Sequence, residues 1–181
     1  MLRIGQDHCI AGGGMKLYKI VVRCVLFCFL CIYGQADKEI VFIFDLHDVV
    51  LIYNYEQEDW FVVDEVAALI CQLKEAGYRL YIASNIHEKN YAYVSGVYPQ
   101  LFGLFDGFYC RSVLNNYGTK RDAHYYPQLK SILLEQFGDV RCVVIDDKQK
   151  YCSAAQNHGF EALCFKSAEQ LWSDVNAILA S

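Results

Sequence analysis

Residues 40–50 read IVFIFDLHDVV, and the fold turns on how that stretch is read. Ile40 to Phe44 is an unbroken apolar run, the pattern of a strand covered on both faces and not of one with a wet side. It stops abruptly at Asp45, which puts a carboxylate at the strand's end. The same punctuation recurs downstream. Leu80–Ala83 reads as a second strand ending at Ser84-Asn85, Gly107–Cys110 as a short third, and Cys142–Ile145 as a fourth ending at Asp146-Asp147. A fifth follows at Ala162–Phe165. Helical stripes lie between them. Asp64 is expected to cap a helix carrying Val66, Leu69, Ile70 and Leu73, stopped by Gly77. A less regular helix covers 87–94, and Asp122 opens one with Tyr125, Leu129, Ile132 and Leu133, closed by Gly138. A short helix runs to His158 and Gly159. Ser167 with Gln170 forms a capping box for a last helix whose Leu171, Val175, Ile178 and Leu179 face inward.

Strands alternating with helices predict βαβ units: an α/β, Rossmann-like, three-layer α/β/α sandwich on a mostly parallel sheet. In such sheets ligands bind beyond the carboxyl ends of the strands. The polar residues of this chain gather there: Asp45, Ser84, Asn85, Asp146 and Asp147.

The 36 residues before Asp37 have a different character and are set apart from the domain at 37–181. Lys16, Lys19 and Arg23 precede an apolar stretch from Cys24 to Tyr33, and Gly34-Gln35-Ala36 supplies small residues for a cut before Asp37. That three-part layout at 15–36 is a candidate signal peptide, implying a periplasmic or secreted protein. A buried first element of a cytoplasmic protein is the alternative. The apolar run is too short to predict a stable membrane span. Without 1–36 the formal net charge falls from −5 to −8, since Arg3, Lys16, Lys19, Arg23 and Asp7 leave with it. That balance points away from nucleic acid as a partner. Of nine cysteines, Cys9, Cys24, Cys28 and Cys31 leave too. Cys110, Cys142 and Cys164 then fall in strand-like runs, where buried thiols are commoner than a disulfide framework.

Three carboxylates at neighbouring strand ends repel one another unless a cation neutralises them, and oxygen-only donors suit Mg²⁺. Lys120, just ahead of a helix start, can reach the same end of the sheet. A carboxylate, a divalent cation, a lysine and hydroxyl or amide donors together suit phosphoryl transfer.

These motifs resemble the haloacid dehalogenase-like (HAD) superfamily: VFIFDLHDVVL at 41–51, LYIASN at 80–85, GTKRDAHYY at 118–126 and VVIDDKQKYCSAAQNHGFEALCF at 143–165. The resemblance spans about residues 40–180, with four motifs in order. It implies an aspartyl-phosphate on Asp45, phosphate binding by Ser84, Asn85 and Lys120, and Mg²⁺ held by the Asp45 carboxylate, the His47 backbone carbonyl and Asp146, with Asp147 assisting. The function it implies is a Mg²⁺-dependent phosphomonoesterase acting on a phosphorylated substrate. One position departs: His47 stands where phosphatases of this superfamily carry an acid/base Asp. Histidine titrates near neutrality and can do that work. Asp48 could substitute, or turnover could be poor, leaving a catalytically weak binding protein as the alternative of another class. A haloacid dehalogenase is the alternative within enzymes, since those members also lack this Asp and share the Ser-Asn motif. They need an enclosing helical cap, however. Val49–Val63 has room only for a β-hairpin flap bearing Tyr53, Tyr55, Trp60 and Phe61, so no cap domain is expected and the substrate can be large or exposed.

Overall fold

The computed structural model describes residues 39–109 and 119–181. The candidate signal peptide at 15–36, Cys110 and Gly118 lie outside the described residues. The apolar runs form β1 (Ile40–Phe44), β4 (Arg79–Ala83), β5 (Gly107–Tyr109), β6 (Arg141–Asp146) and β7 (Glu161–Cys164), with β2 (Leu51–Asn54) and β3 (Asp59–Val62) as a separate hairpin. The five strands make one sheet in the order β5-β4-β1-β6-β7, every pair parallel. The helices are α1 (Asp64–Glu75), α2 (Glu88–Val97), α3 (Pro99–Phe102), α4 (Tyr125–Phe137), α5 (Gln149–Asn157) and α6 (Ala168–Leu179). This is the three-layer α/β sandwich expected.

Alternation along the central strand explains the layers. Ile40, Phe42 and Phe44 share a core with Leu69, Ile70 and Leu73 of α1 and Leu171 and Val175 of α6. Val41 and Ile43, pointing the other way, pack with Tyr125, Leu129 and Leu133 of α4 and Ala155 of α5. A strand with successive side chains on opposite faces must be apolar throughout when both faces are covered. All five residues of β1 are buried accordingly. Edge strand β5 leaves no room for a side chain at Gly107. A Cβ on Gly107 would stand 2.6 Å from the Tyr81 ring, which is itself stacked on Tyr109.

Three helix starts differ from expectation. Asp64 is the first residue of α1 and makes no side-chain cap; Val63 holds the cap position, and Asp64 and Glu65 instead meet the positive end of the helix dipole. Asp122 does not open α4. Its carboxylate accepts from the Thr119 backbone N–H and hydroxyl, closing a local turn, and the helix begins at Tyr125. The second helix runs on to Val97 and is followed by α3 with Pro99 at its start. The final capping pair forms in altered form: Ser167 Oγ accepts from the Gln170 N–H at 3.2 Å, while Gln170 Oε1 reaches back to the N–H of Lys166 at 3.0 Å.

Topology positions the site. From β1 the chain moves to β4 and β5 on one side, then returns to β6 on the other. The crevice at such a reversal lies outside the carboxyl ends of β1 and β6, where Asp45 and Asp146 stand. Between β1 and β2 the chain turns within six residues, with Asp48 in the left-handed region (φ 64°) and its N–H donating to the Leu51 carbonyl at 2.8 Å. The hairpin flap that follows is the only insertion between β1 and α1.

Candidate active site

Asp45 leaves β1 buried, its backbone N–H still donating to the Ile145 carbonyl at 2.7 Å as if the strand continued. Its Oδ1 accepts from the Leu46 N–H at 2.8 Å and lies 3.0 Å from Lys120 Nζ. Lys120 is 3% exposed and also meets Asp146 Oδ2 at 2.6 Å. Asp146, fully buried at the end of β6, uses its other oxygen to accept from the Lys148 N–H at 2.9 Å. Burial alone would lower the Lys120 pKa, but Asp45 and Asp146 outweigh it and hold the ammonium above the ordinary lysine value. One ammonium between two carboxylates leaves the carboxylates under-neutralised. Burial lifts Asp146 above the usual range, against the pull of Lys120 and with a further push from Asp45.

Asp147 completes the acidic group. Oxygens of Asp45, Asp146 and Asp147 all lie within 4.8 Å of one another. Three carboxylates converging with no soft donor are the set a hard divalent cation takes, so the residues fit Mg²⁺. Lys148 Nζ sits 3.0 Å from Asp147 Oδ2 on the half-buried side of the cluster.

Ser84 is buried at the end of β4, and its Oγ accepts weakly from the Ile86 N–H at 3.4 Å. Asn85 plays a part its sequence position did not reveal. Its Oδ1 accepts from the Lys120 N–H at 2.8 Å, tying the β4 end to the loop that carries the lysine. His47 is half-exposed, its Nδ1 3.4 Å from Asp48 Oδ2 and its ring edge-to-face with Trp60 at 5.2 Å.

A cleft of about 320 Å³ opens over Asp45, His47, Ser84 and Asn85. It therefore contains four of the residues singled out in the sequence, while Lys120, Asp146 and Asp147 stand beneath or beside them. Trp60, one of the flap aromatics, reaches in, and the other lining residues, Ile86, His87, Asn90, Arg121, Lys148 and Tyr151, are not among the site residues read from the sequence. Each of these six follows a strand-end or loop residue already picked out by no more than five positions, which is the signal that could have found them.

A family profile for haloacid dehalogenase-like hydrolases matches residues 31–159. No curated protein sequence matches the chain. Among solved structures, a hydrolase from Streptococcus pneumoniae is similar at TM-score 0.61 and 14% identity, over 77% of this chain and 99% of that one. The core domain of a protein provisionally assigned as a phosphoglycolate phosphatase, also from Streptococcus pneumoniae, gives 0.54 at 16% identity, over 82% and 99%. An aspartate-to-alanine variant of a HAD family enzyme from Bacteroides thetaiotaomicron, in complex with magnesium and inorganic phosphate, gives 0.50 at 14%, over 71% and 94%.

Proposed function

The chain belongs to the haloacid dehalogenase-like hydrolases, and from that premise we propose that it is a Mg²⁺-dependent phosphomonoesterase that works through an aspartyl-phosphate on Asp45. The observation that carries the reading is the Lys120 ammonium, buried between Asp45 and Asp146 beside a third carboxylate at the floor of an open cleft. Similarity to a magnesium- and phosphate-bound family member points the same way.

In this mechanism Asp45 Oδ1 is held by the Leu46 N–H and Lys120, leaving Oδ2 as the attacking atom. It forms the bond to phosphorus as the ester P–O bond breaks. The leaving oxygen carries away the electron pair and takes a proton from the His47 imidazolium, whose Nδ1 faces Asp48 and whose Nε2 therefore delivers it. Neutral imidazole then accepts a proton from the water that hydrolyses the aspartyl-phosphate, regenerating Asp45 and releasing phosphate. Lys120, with the Ser84 hydroxyl, stabilises charge on the phosphoryl oxygens. Mg²⁺ held by Asp45, Asp146, Asp147 and the His47 carbonyl would screen the carboxylates from the phosphate and polarise it. Asn85 acts by holding the Lys120 loop. With a two-stranded flap in place of a helical cap, the cleft stays open, which supports a large or exposed substrate.

The test is hydrolysis of a generic aryl phosphate with and without Mg²⁺, in the wild type, Asp45→Asn and His47→Ala. Activity that survives Asp45→Asn or ignores chelation overturns the reading, and chloride release from a 2-haloacid would replace it with dehalogenation. We further propose export, on the sequence of 15–36 alone, with 37–181 as the mature domain. An N-terminus found intact at Met1 or Met15 in the cellular protein overturns that part.

A further inference from the structure

The two sides of the cleft over Asp45 differ in charge. Trp60 and Ile86 pack into the core on the α1/α6 side of the sheet, and with them His87 and Asn90 line the cleft. Tyr151 belongs to the core on the α4/α5 side, where Arg121 and Lys148 line the same cleft. Cations gather round that tyrosine. Lys150 Nζ lies 4.9 Å from the centre of the Tyr151 ring and Lys120 Nζ 5.8 Å from it. Arg121 Nε donates to the Tyr151 hydroxyl at 3.4 Å. A phenol ring attracts cations to its face, so the buried Tyr151 is a fixed post for three positive charges.

Two of the four basic groups on this side are already committed. Lys120 meets Asp45 and Asp146, and Lys148 meets Asp147. Lys74, Arg79 and Arg141, elsewhere in the fold, also pair with carboxylates. Arg121 and Lys150 meet no carboxylate among the described residues, in a domain whose acids outnumber its bases by eight.

The phosphoryl group is met at the floor of the cleft by Lys120 and Ser84, so the charge beside Tyr151 is left for the rest of the substrate. With its Nε held by the phenol, the Arg121 guanidinium still has both Nη groups to offer, and none of the described residues takes them. That planar fork matches the paired oxygens of a carboxylate or a phosphate, whereas a neutral hydroxyl uses only one arm of it. A cleft of about 320 Å³ is at the small end for ligand pockets and suits a phosphoryl group with a short acidic arm. We propose that Arg121, oriented by Tyr151 and assisted by Lys150, forms a subsite for a second anionic group on the substrate, so that the cleft selects phosphate monoesters that carry a carboxylate or a second phosphate. The proposal rests on the phosphomonoesterase reading for the identity of the floor, and it can be tested without turnover.

The experiment is calorimetric binding of 3-phosphonopropionate and its uncharged-arm counterpart 3-phosphonopropionamide, neither of which is hydrolysed, to the full chain in excess Mg²⁺. The wild type should bind the carboxylate roughly tenfold more tightly than the amide. Arg121→Gln should abolish that preference, and Arg121→Lys, which keeps the charge and loses the fork, should keep part of it. Both variants should bind the amide as the wild type does, which also reports that they are folded. Tyr151→Phe, which frees the guanidinium, should weaken the preference without removing it. Equal affinities in the wild type, a preference untouched by Arg121→Gln, or failure of both phosphonates to bind overturns the subsite. If the preference follows Arg121 while no phosphate ester is hydrolysed, the phosphatase reading falls and the anion subsite stands. If phosphate esters are hydrolysed and no preference is found, the subsite falls alone. Two peptides, each carrying the phosphonate analogue of phosphoserine beside either an aspartate or an asparagine, separate the sources of the second anion. Tighter binding of the aspartate peptide places it on a protein, and equal binding of the two peptides, with the phosphonopropionate preference intact, places it on a small molecule; both support the subsite.

Discussion

The side-chain oxygen of Asn85, at the end of β4, accepts a hydrogen bond from the backbone N–H of Lys120 at 2.8 Å. This contact holds in place the loop from which the lysine reaches back to Asp45 and Asp146. Asn85→Ala should therefore act at a distance, through Lys120. Loss of one hydrogen bond to a partly buried donor costs about 1 kcal/mol of stability, measurable by urea denaturation. Displacement of the ammonium should cost on the order of 10²-fold in kcat. Asn85→Asp, which keeps the acceptor, should recover stability more fully than activity, because it adds negative charge beside the phosphate.

Gly107→Ala should destabilise the protein by about 1–3 kcal/mol without touching the site. The new methyl would stand 2.6 Å from Cε1 of Tyr81. That ring cannot swing away easily, since it stacks on Tyr109 at 5.3 Å and leans on Phe137 at 5.7 Å. The double variant Gly107→Ala with Tyr81→Leu should recover part of the loss. A denaturant midpoint unchanged by Gly107→Ala alone would contradict the packing described.

Much of this arrangement is legible in one sequence because buried parallel strands are local apolar runs. Ile40–Phe44 announces itself, and so do the carboxylates at the ends of β1 and β6. The flap is legible from spacing, as 15 residues leave no room for a helical cap. Other features depend on partners distant in the chain or on competition between nearby groups. Asn85 meets Lys120 35 residues away, so nothing beside Asn85 tells a phosphate ligand from a loop clamp. Asp122 looks like a helix cap, but its carboxylate is claimed by Thr119, three residues before it. Trp60, Arg121 and Tyr151 become one cleft only when the two layers close over the sheet, and periodicity along the chain carries no trace of that.

Mg²⁺ should stabilise the protein as well as activate it. With Lys120 shared between two carboxylates, Asp45, Asp146 and Asp147 remain crowded within 4.8 Å, and a bound dication relieves the repulsion. Ligand linkage gives about 2.7 kcal/mol at a hundredfold excess over the dissociation constant, which for a domain of this size raises Tm on the order of 5–10 °C. Thermal denaturation with MgCl₂ and with EDTA measures it. Asp147→Asn should shrink the shift, and Asp146→Asn should remove most of it.

The thiols should divide sharply. Cys71 is exposed, whereas Cys142 and Cys152 are buried. Burial pushes the Cys142 thiol up, and burial with Cys164 beside it pushes Cys152 up to about 12. The thiolate is the reactive form, so a raised pKa means slower alkylation at any pH below it. Iodoacetamide at pH 8, read by peptide mass spectrometry, should label Cys71 in the native protein and reach Cys142 and Cys152 only after denaturation.

His47 should matter in proportion to how badly the leaving group needs a proton. It is the titratable side chain in the cleft at the position where related phosphatases carry their acid/base carboxylate, and it is braced by Asp48 at 3.4 Å and by Trp60. An alkoxide departs poorly without protonation, so His47→Ala should lower kcat for an alkyl phosphate by about 10²–10⁴-fold. A p-nitrophenolate leaves readily as the anion, so the same variant should lose less than about tenfold on p-nitrophenyl phosphate in the step that forms the aspartyl-phosphate. Burst kinetics on the aryl ester separate that step from hydrolysis of the intermediate, where the histidine is needed again as a base. His47→Asp, which restores a carboxylic acid at the same place, should recover alkyl phosphate turnover and shift its pH optimum downward, because a carboxylic acid gives up its proton at lower pH than an imidazolium. Equal losses on alkyl and aryl esters in the phosphorylation step would assign His47 to binding and move the acid role to Asp48.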